Sequence, residues 1–139
     1  MLDIELLREK PQHVKDGLRR VGADAGQVDA ILALDERRRQ TLAQLEALRA
    51  ERNRVSKEIG RLRDDALRTE RIAAMRSVGE QIAALEEALR QVERQLDEAM
   101  WALPNLPHPS VPDGPDETHN VVLQTWGPER QFGFEPVPH

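Results

Sequence analysis

The fold is decided between Val28 and Leu103, VDAILALDERRRQTLAQLEALRAERNRVSKEIGRLRDDALRTERIAAMRSVGEQIAALEEALRQVERQLDEAMWAL. Leu45, Leu48, Arg52, Val55, Ile59, Leu62 and Ala66 recur at alternating spacings of 3 and 4. Met75, Val78, Ile82, Leu85, Leu89, Val92, Leu96, Ala99 and Leu103 do the same. Such a repeat puts one apolar seam on each of two helices, as in a coiled coil. The runs also pair with each other. Leu62 with Ile72, Ile59 with Met75, Val55 with Val78, Leu48 with Leu85, Leu45 with Leu89, Leu34 with Ala99 and Ile31 with Leu103 have residue numbers that sum to 133 or 134. A constant sum is what an antiparallel hairpin requires, because each step up one helix is a step down the other. Two parallel chains would pair each position with itself. The spacing therefore predicts a hairpin over 28–103, its tip near 63–71, satisfied within one chain and so monomeric.

Two seam positions of the first helix are polar. Arg38 faces Leu96 and Arg52 faces Ile82 in this register, and their stems can lie along the seam with the guanidinium in water or against an acid. A slip would bury a charge, so both help to fix the register. At about 1.5 Å per residue the arm reaches roughly 50 Å.

Before the hairpin, residues 1–22 read as two short helices. Asp3 is placed to cap Ile4, Leu6 and Leu7, and Pro11 ends that helix and opens the next, which runs to Val21 with Gly22 as its stop. The stripe of Val14, Leu18 and Val21 is too short to stand alone and is expected on the hairpin's base. Asp24 and Gln27 stand at capping-box spacing ahead of Val28. After the second helix, the segment 104–119 holds Pro104, Pro107, Pro109, Pro112 and Pro115 and reads as an extended connector. Asn120–Trp126 and Arg130–Phe134 read as two short strands about a Gly127–Pro128 turn, a pair that needs further partners. The expected class is thus all-α dominated: a long antiparallel two-helix coiled coil, short helices at its base, and a short C-terminal β segment over 120–139.

Composition narrows function. There is no Cys, and only two Phe and two Trp serve 139 residues, so disulfides, thiolate metal sites and a large globular core are excluded. No apolar run is long enough to cross a bilayer, and MLDIELLREK lacks the apolar stretch of a signal peptide; a cytoplasmic location is expected. The net charge of −5 argues against indiscriminate binding of nucleic acid, DNA included, but its distribution is uneven. Residues 49–76 carry nine bases against five acids, whereas residues 77–139 carry three bases against eleven acids. The arm has a basic tip and an acidic base.

His108 and His119 lie among turn-forming residues at no recognisable ligand spacing, and no Gly-rich phosphate loop occurs. Neither catalytic nor metal residues are expected. The basic tip is the candidate site. Arg54, Arg61 and Arg68 fall on one outer heptad position with Lys57 beside them, if the first helix continues to Arg68, and Arg49 and Arg63 flank the seam. Guanidinium groups in a row suit phosphates, which they bind bidentately with release of counterions. With no aromatic residue on the basic part of the arm, 49–76, to stack on bases, contact would be with backbone and shape. A solvated face on a structural or protein-interaction hairpin is the alternative.

Several stretches together resemble one family. MLDIELLREKP, then LRAERNRVSKEIG (Leu48–Gly60), PNLPHPSVPDGPDETHNV (Pro104–Val121), Trp126-Gly127 and FGFEPVPH (Phe132–His139) are similar, in this order, to the N-terminal region of bacterial seryl-tRNA synthetases. The resemblance implies an antiparallel arm projecting from a class II catalytic domain that would begin past His139 and would use ATP and Mg²⁺. It implies serine tRNA as the partner, held by its long variable arm and elbow, and a homodimer in which one subunit's arm serves the other's active site. Carried onto this chain, Arg49, Arg54, Lys57 and Arg61 lie inside a matching motif. Arg63, Arg68 and Arg76 extend the candidate set by charge and position.

Overall fold

Four helices succeed one another in the computed structural model, which describes residues 2–114, 116–128, 131–135 and 137. They are α1 (Ile4–Glu9), α2 (Pro11–Arg20), α3 (Gly26–Ile59) and α4 (Asp65–Ala102), with a 3-10 turn at Glu117–His119. The local signals act as read. Asp3 accepts a hydrogen bond from the Glu5 backbone N–H at the start of α1, and Pro11 stands at the first turn of α2, where its missing N–H costs nothing. Gly22, at φ 69°, closes α2: its N–H donates to the Arg19 carbonyl at 3.0 Å and that of Ala23 to Leu18 at 2.9 Å. The start of α3 departs from expectation. Asp24 accepts only from the Gly26 N–H, at 2.8 Å, and Gln27 Oε1 is buried with no partner, so no reciprocal box forms.

α3 and α4 run antiparallel as the long arm. Their register agrees with the pairing read from the spacing. Leu48 and Leu85 line one shallow depression with Ala47 and Ala84, Arg49 reaches Glu86 across the hairpin at 2.6 Å, and Arg38 reaches Glu93 at 3.0 Å. Leu45, Val55, Ile82 and Val92 are buried along the seam, while Arg38 is half-buried and Arg52 exposed. No helix is long and apolar enough to cross a membrane among the described residues.

The reversal is not where the heptads put it. α3 stops at Ile59, and residues 60–64 turn the chain, rather than 63–71. Leu62 and Ala66 continue the 3-and-4 spacing, but the capping chemistry overrides it: Gly60 is a poor helix residue. Asp64 accepts from the N–H groups of Ala66 at 2.9 Å and Leu67 at 3.2 Å, starting α4 there. Ala66 and Arg68 therefore belong to α4, not to the first helix. Every residue from Arg63 to Ala74 is exposed.

The core sits at the other end. Leu7, Val14, Leu18, Val28, Ile31, Met100 and Leu103 form one buried cluster, against which Ile4, Leu32, Leu96 and Leu106 pack. A polar clamp completes it. Arg8 donates Nε to Asp35 Oδ2 at 2.8 Å and Nη2 to Oδ1 at 2.5 Å, and Arg39 approaches the same carboxylate at 3.2 Å. The Asp35 side chain is 2% exposed. Lys15 adds an ion pair from α2 to Asp29 of α3 at 2.7 Å.

The expected β segment is a correction. Among the described residues of 120–139 there is no strand, and Val122, Leu123 and Trp126 are 79%, 90% and 93% exposed. Two short strands have too few cross-strand contacts to hold without a third. Arg130, which opened the second expected strand, lies outside the described residues, as do Pro115, Pro136 and His139 of the resembling stretches.

Candidate nucleic-acid interface

The basic tip is built from three backbone settings. Arg49, Arg54 and Lys57 stand on α3, Arg61 and Arg63 in the turn, and Arg68 and Arg76 on α4. The anticipated single stripe of Arg54, Lys57, Arg61 and Arg68 on one helix is thus divided. Arg54, Lys57 and Arg61 remain together, lining one groove with Ala50, Asn53 and Glu58. Arg68 faces solvent from the start of α4, accompanied by Arg71 one turn on.

Ion pairing then sorts these cations. Arg49 is engaged by Glu86 at 2.6 Å, and Arg54 is held by Glu51 at 2.6 Å and Glu58 at 2.8 Å. The hydrogen bond from Arg54 to Glu51 is the main reason that this guanidinium is still harder to deprotonate than a free one. Arg76 has a loose contact with Glu80 at 3.7 Å. Lys57, Arg61, Arg63, Arg68 and Arg71 make no ion pair among the described residues, and all five are exposed. Their charge is available to a partner without breaking an existing contact. Arg71 is an addition to the candidate set. Its i, i+3 relation to Arg68 is the signal in the sequence that points to it.

Electrostatics at the opposite end serve structure. Hydrogen bonds from Arg8 hold the Asp35 carboxyl below its ordinary range against the opposing effect of burial. Asp35 too is absent from the sequence reading, although Val28, Ile31 and Asp35 share the 3-and-4 spacing that marks an inward face. His108 bonds Ser110 at 2.8 Å, and His119 lies 3.3 Å from Asp116, whose carboxyl is held low chiefly by Thr118. No group of three His, Asp or Glu residues able to hold a metal occurs among the described residues.

Known proteins share this architecture. The family model described as the seryl-tRNA synthetase N-terminal domain matches residues 1–107. A serine–tRNA ligase of Roseiflexus sp. is 56% identical over all 139 residues, and one of Chloroflexus aurantiacus is 50% identical over the same span. The chain spans about one third of the length of each, 33% in both cases. The crystal structure of seryl-tRNA synthetase from Pyrococcus horikoshii complexed with ATP superposes with a TM-score of 0.83 at 40% identity. That match covers 91% of this chain and 29% of the other. A cytoplasmic serine–tRNA ligase of Naegleria fowleri in complex with AMP aligns over 94% of the chain at TM-score 0.74 and 27% identity, covering 29% of its own chain. With the hairpin, its register and the base helices all in place, the chain belongs to the seryl-tRNA synthetase N-terminal domain family.

Proposed function

We propose that this chain is the tRNA-gripping arm of a serine–tRNA ligase. The observation that carries the proposal is the group of exposed cations at the tip of a family-matched arm that make no ion pair among the described residues: Lys57, Arg61, Arg63, Arg68 and Arg71, with Arg52 beside them. They supply charge-assisted hydrogen bonds to phosphates, while the hairpin supplies reach. Arg49, Arg54 and Arg76 stand in the same region but must give up a carboxylate to take up a phosphate, so they contribute less. With no aromatic side chain on the tip, recognition falls on backbone and shape, which suits a structured RNA with a long double-stranded variable arm.

The ligase reaction, with ATP and Mg²⁺, belongs to the other two-thirds of such an enzyme. The described residues offer no metal-holding cluster, and no step of adenylate chemistry is assigned to them. The arm works in the cytoplasm on serine tRNA and delivers it to the catalytic portion of a homodimer, one subunit's arm serving the other. Binding of serine tRNA to this chain, measured beside a tRNA that lacks the long variable arm, tests the assignment. Preference for serine tRNA is expected, and equal affinity for both, or none for either, would overturn it.

A further inference from the structure

The segment after α4 does not leave the arm at Pro104. Leu103 is buried in the base core, and Leu106 packs beside it. Leu106 lies so close to α2 that a Cβ built on Gly17 would stand 2.8 Å from its Cδ2. Next comes a turn, in which the Val111 N–H donates to the His108 carbonyl at 2.9 Å and His108 Nδ1 lies 2.8 Å from Ser110 Oγ. Arg20 of α2 then closes the segment from its far side. Its Nε donates to Asp113 Oδ1 at 2.6 Å and its Nη2 to the Val111 carbonyl at 2.7 Å. One helix therefore holds the connector at both ends, by an apolar contact at Gly17 and a two-acceptor fork at Arg20. Past Asp113, no hydrogen bond ties the described residues to the helices, and Leu123 and Trp126 are almost fully exposed.

We propose that the hinge point between the arm and the rest of the chain lies downstream of Asp113, not at the helix-ending proline, and that Arg20 is a positioning residue. Its fork on Val111 and Asp113 fixes the direction in which the connector leaves the arm. A solvent-exposed ion pair alone does little; this one acts on a segment already anchored by Leu106, and its second bond goes to a backbone carbonyl that no neighbouring substitution removes. Arginine is suited to the role because its planar fork can satisfy two acceptors at a fixed angle, which a lysine ammonium does not do. The joint does not rest on the ligase-arm reading.

The absence of cysteine makes a direct test simple, since spin labels can be placed at chosen positions. One pair joins Glu46→Cys on the arm to Val111→Cys, which keeps the accepting carbonyl; the other joins Glu46→Cys to Leu123→Cys. Pulsed dipolar spectroscopy should give a narrow distance distribution for the first pair and a broad one for the second. Arg20→Ala should broaden the first toward the second, and Arg20→Lys should fall between. Asp113→Ala should broaden it without touching α2, while Arg19→Ala, whose partner is Asp16, should leave it narrow. Helix content by circular dichroism should match the parent in each. Equal widths for the two pairs in the parent, or an unchanged first pair in both Arg20→Ala and Asp113→Ala, would overturn the proposal. Affinity for serine tRNA should be unchanged in Arg20→Ala. If the parent chain failed to bind that tRNA, the ligase-arm reading would fall while the label widths still judged the joint.

Discussion

The two ends of the arm are built from the same hairpin and differ in nearly everything else. At the base, α1, α2, α3 and α4 meet around seven buried apolar residues, and the buried Asp35 is clamped by Arg8. At the tip, every residue from Arg63 to Ala74 is exposed. The base uses apolar area to hold one orientation, whereas the tip keeps most of its cations out of ion pairs among the described residues. Rigidity and availability are thus separated along the arm, by a distance that two long helices provide at little cost in core volume.

The largest expected effect sharpens this contrast in stability. Ile31→Ala at the base should lower the free energy of urea unfolding by about 3 kcal/mol, the usual cost of a cavity under a buried aliphatic residue. Ile72→Ala at the tip, 53% exposed, should cost less than about 0.5 kcal/mol. Equal losses would mean that the tip is packed in solution in a way that the described helices do not provide.

Next in size is the clamp. Asp35→Ala removes a buried partner of Arg8 and should cost about 2 kcal/mol, moderated because the guanidinium left behind can reach water. The pH dependence carries the same signature. Asp35 titrates below its ordinary 3.8 in the folded chain, so the unfolded state takes up its proton first as acid is added. The stabilisation is complete above that ordinary value and is lost as pH falls toward the folded value. Thermal melts from pH 6 downward should show the parent losing stability below about pH 4 more steeply than Asp35→Ala.

Smaller still is the cap at the start of α4. Asp64→Ala should weaken the start of α4 by about 1 kcal/mol. Since little packs on that stretch, the loss should appear as local fraying. Amide exchange from Ala66 to Ala74 should accelerate with almost no change in the global unfolding midpoint. A drop in the midpoint as large as that of Ile31→Ala would erase the distinction between the ends.

Much of this architecture is legible in the residues, and the exceptions have causes. The pairing of Leu48 with Leu85 emerges from heptad spacing alone because seam burial is what the spacing encodes. The spacing misplaces the turn since Leu62 and Ala66 happen to continue it through Gly60, where the cap chemistry of Asp64 decides instead. Asp35 is hidden by its charge, although its position is inward-facing. The strands expected at Asn120–Trp126 and Arg130–Phe134 rest on β-rich composition, which reports a suitable surface and not the presence of a partner strand. At the site, counting cations locates the tip, but not which of them are free. Glu51, Glu58 and Glu80 stand three or four residues from Arg54 and Arg76, and the rule for neighbours on a helix discounts both.

The central claim is that the unpaired cations of the tip hold RNA phosphates while the base does not. Its most direct test is the salt dependence of serine-tRNA binding to this chain. Replacing Lys57, Arg61 and Arg63 together by Ala should weaken binding and reduce the slope of log affinity against log salt by up to about three phosphate contacts. Replacing the paired Arg54 and Arg76 should remove about one at most. An unchanged slope in the triple variant, or an equal loss on replacing the base residues Lys15 and Arg19, would contradict the account.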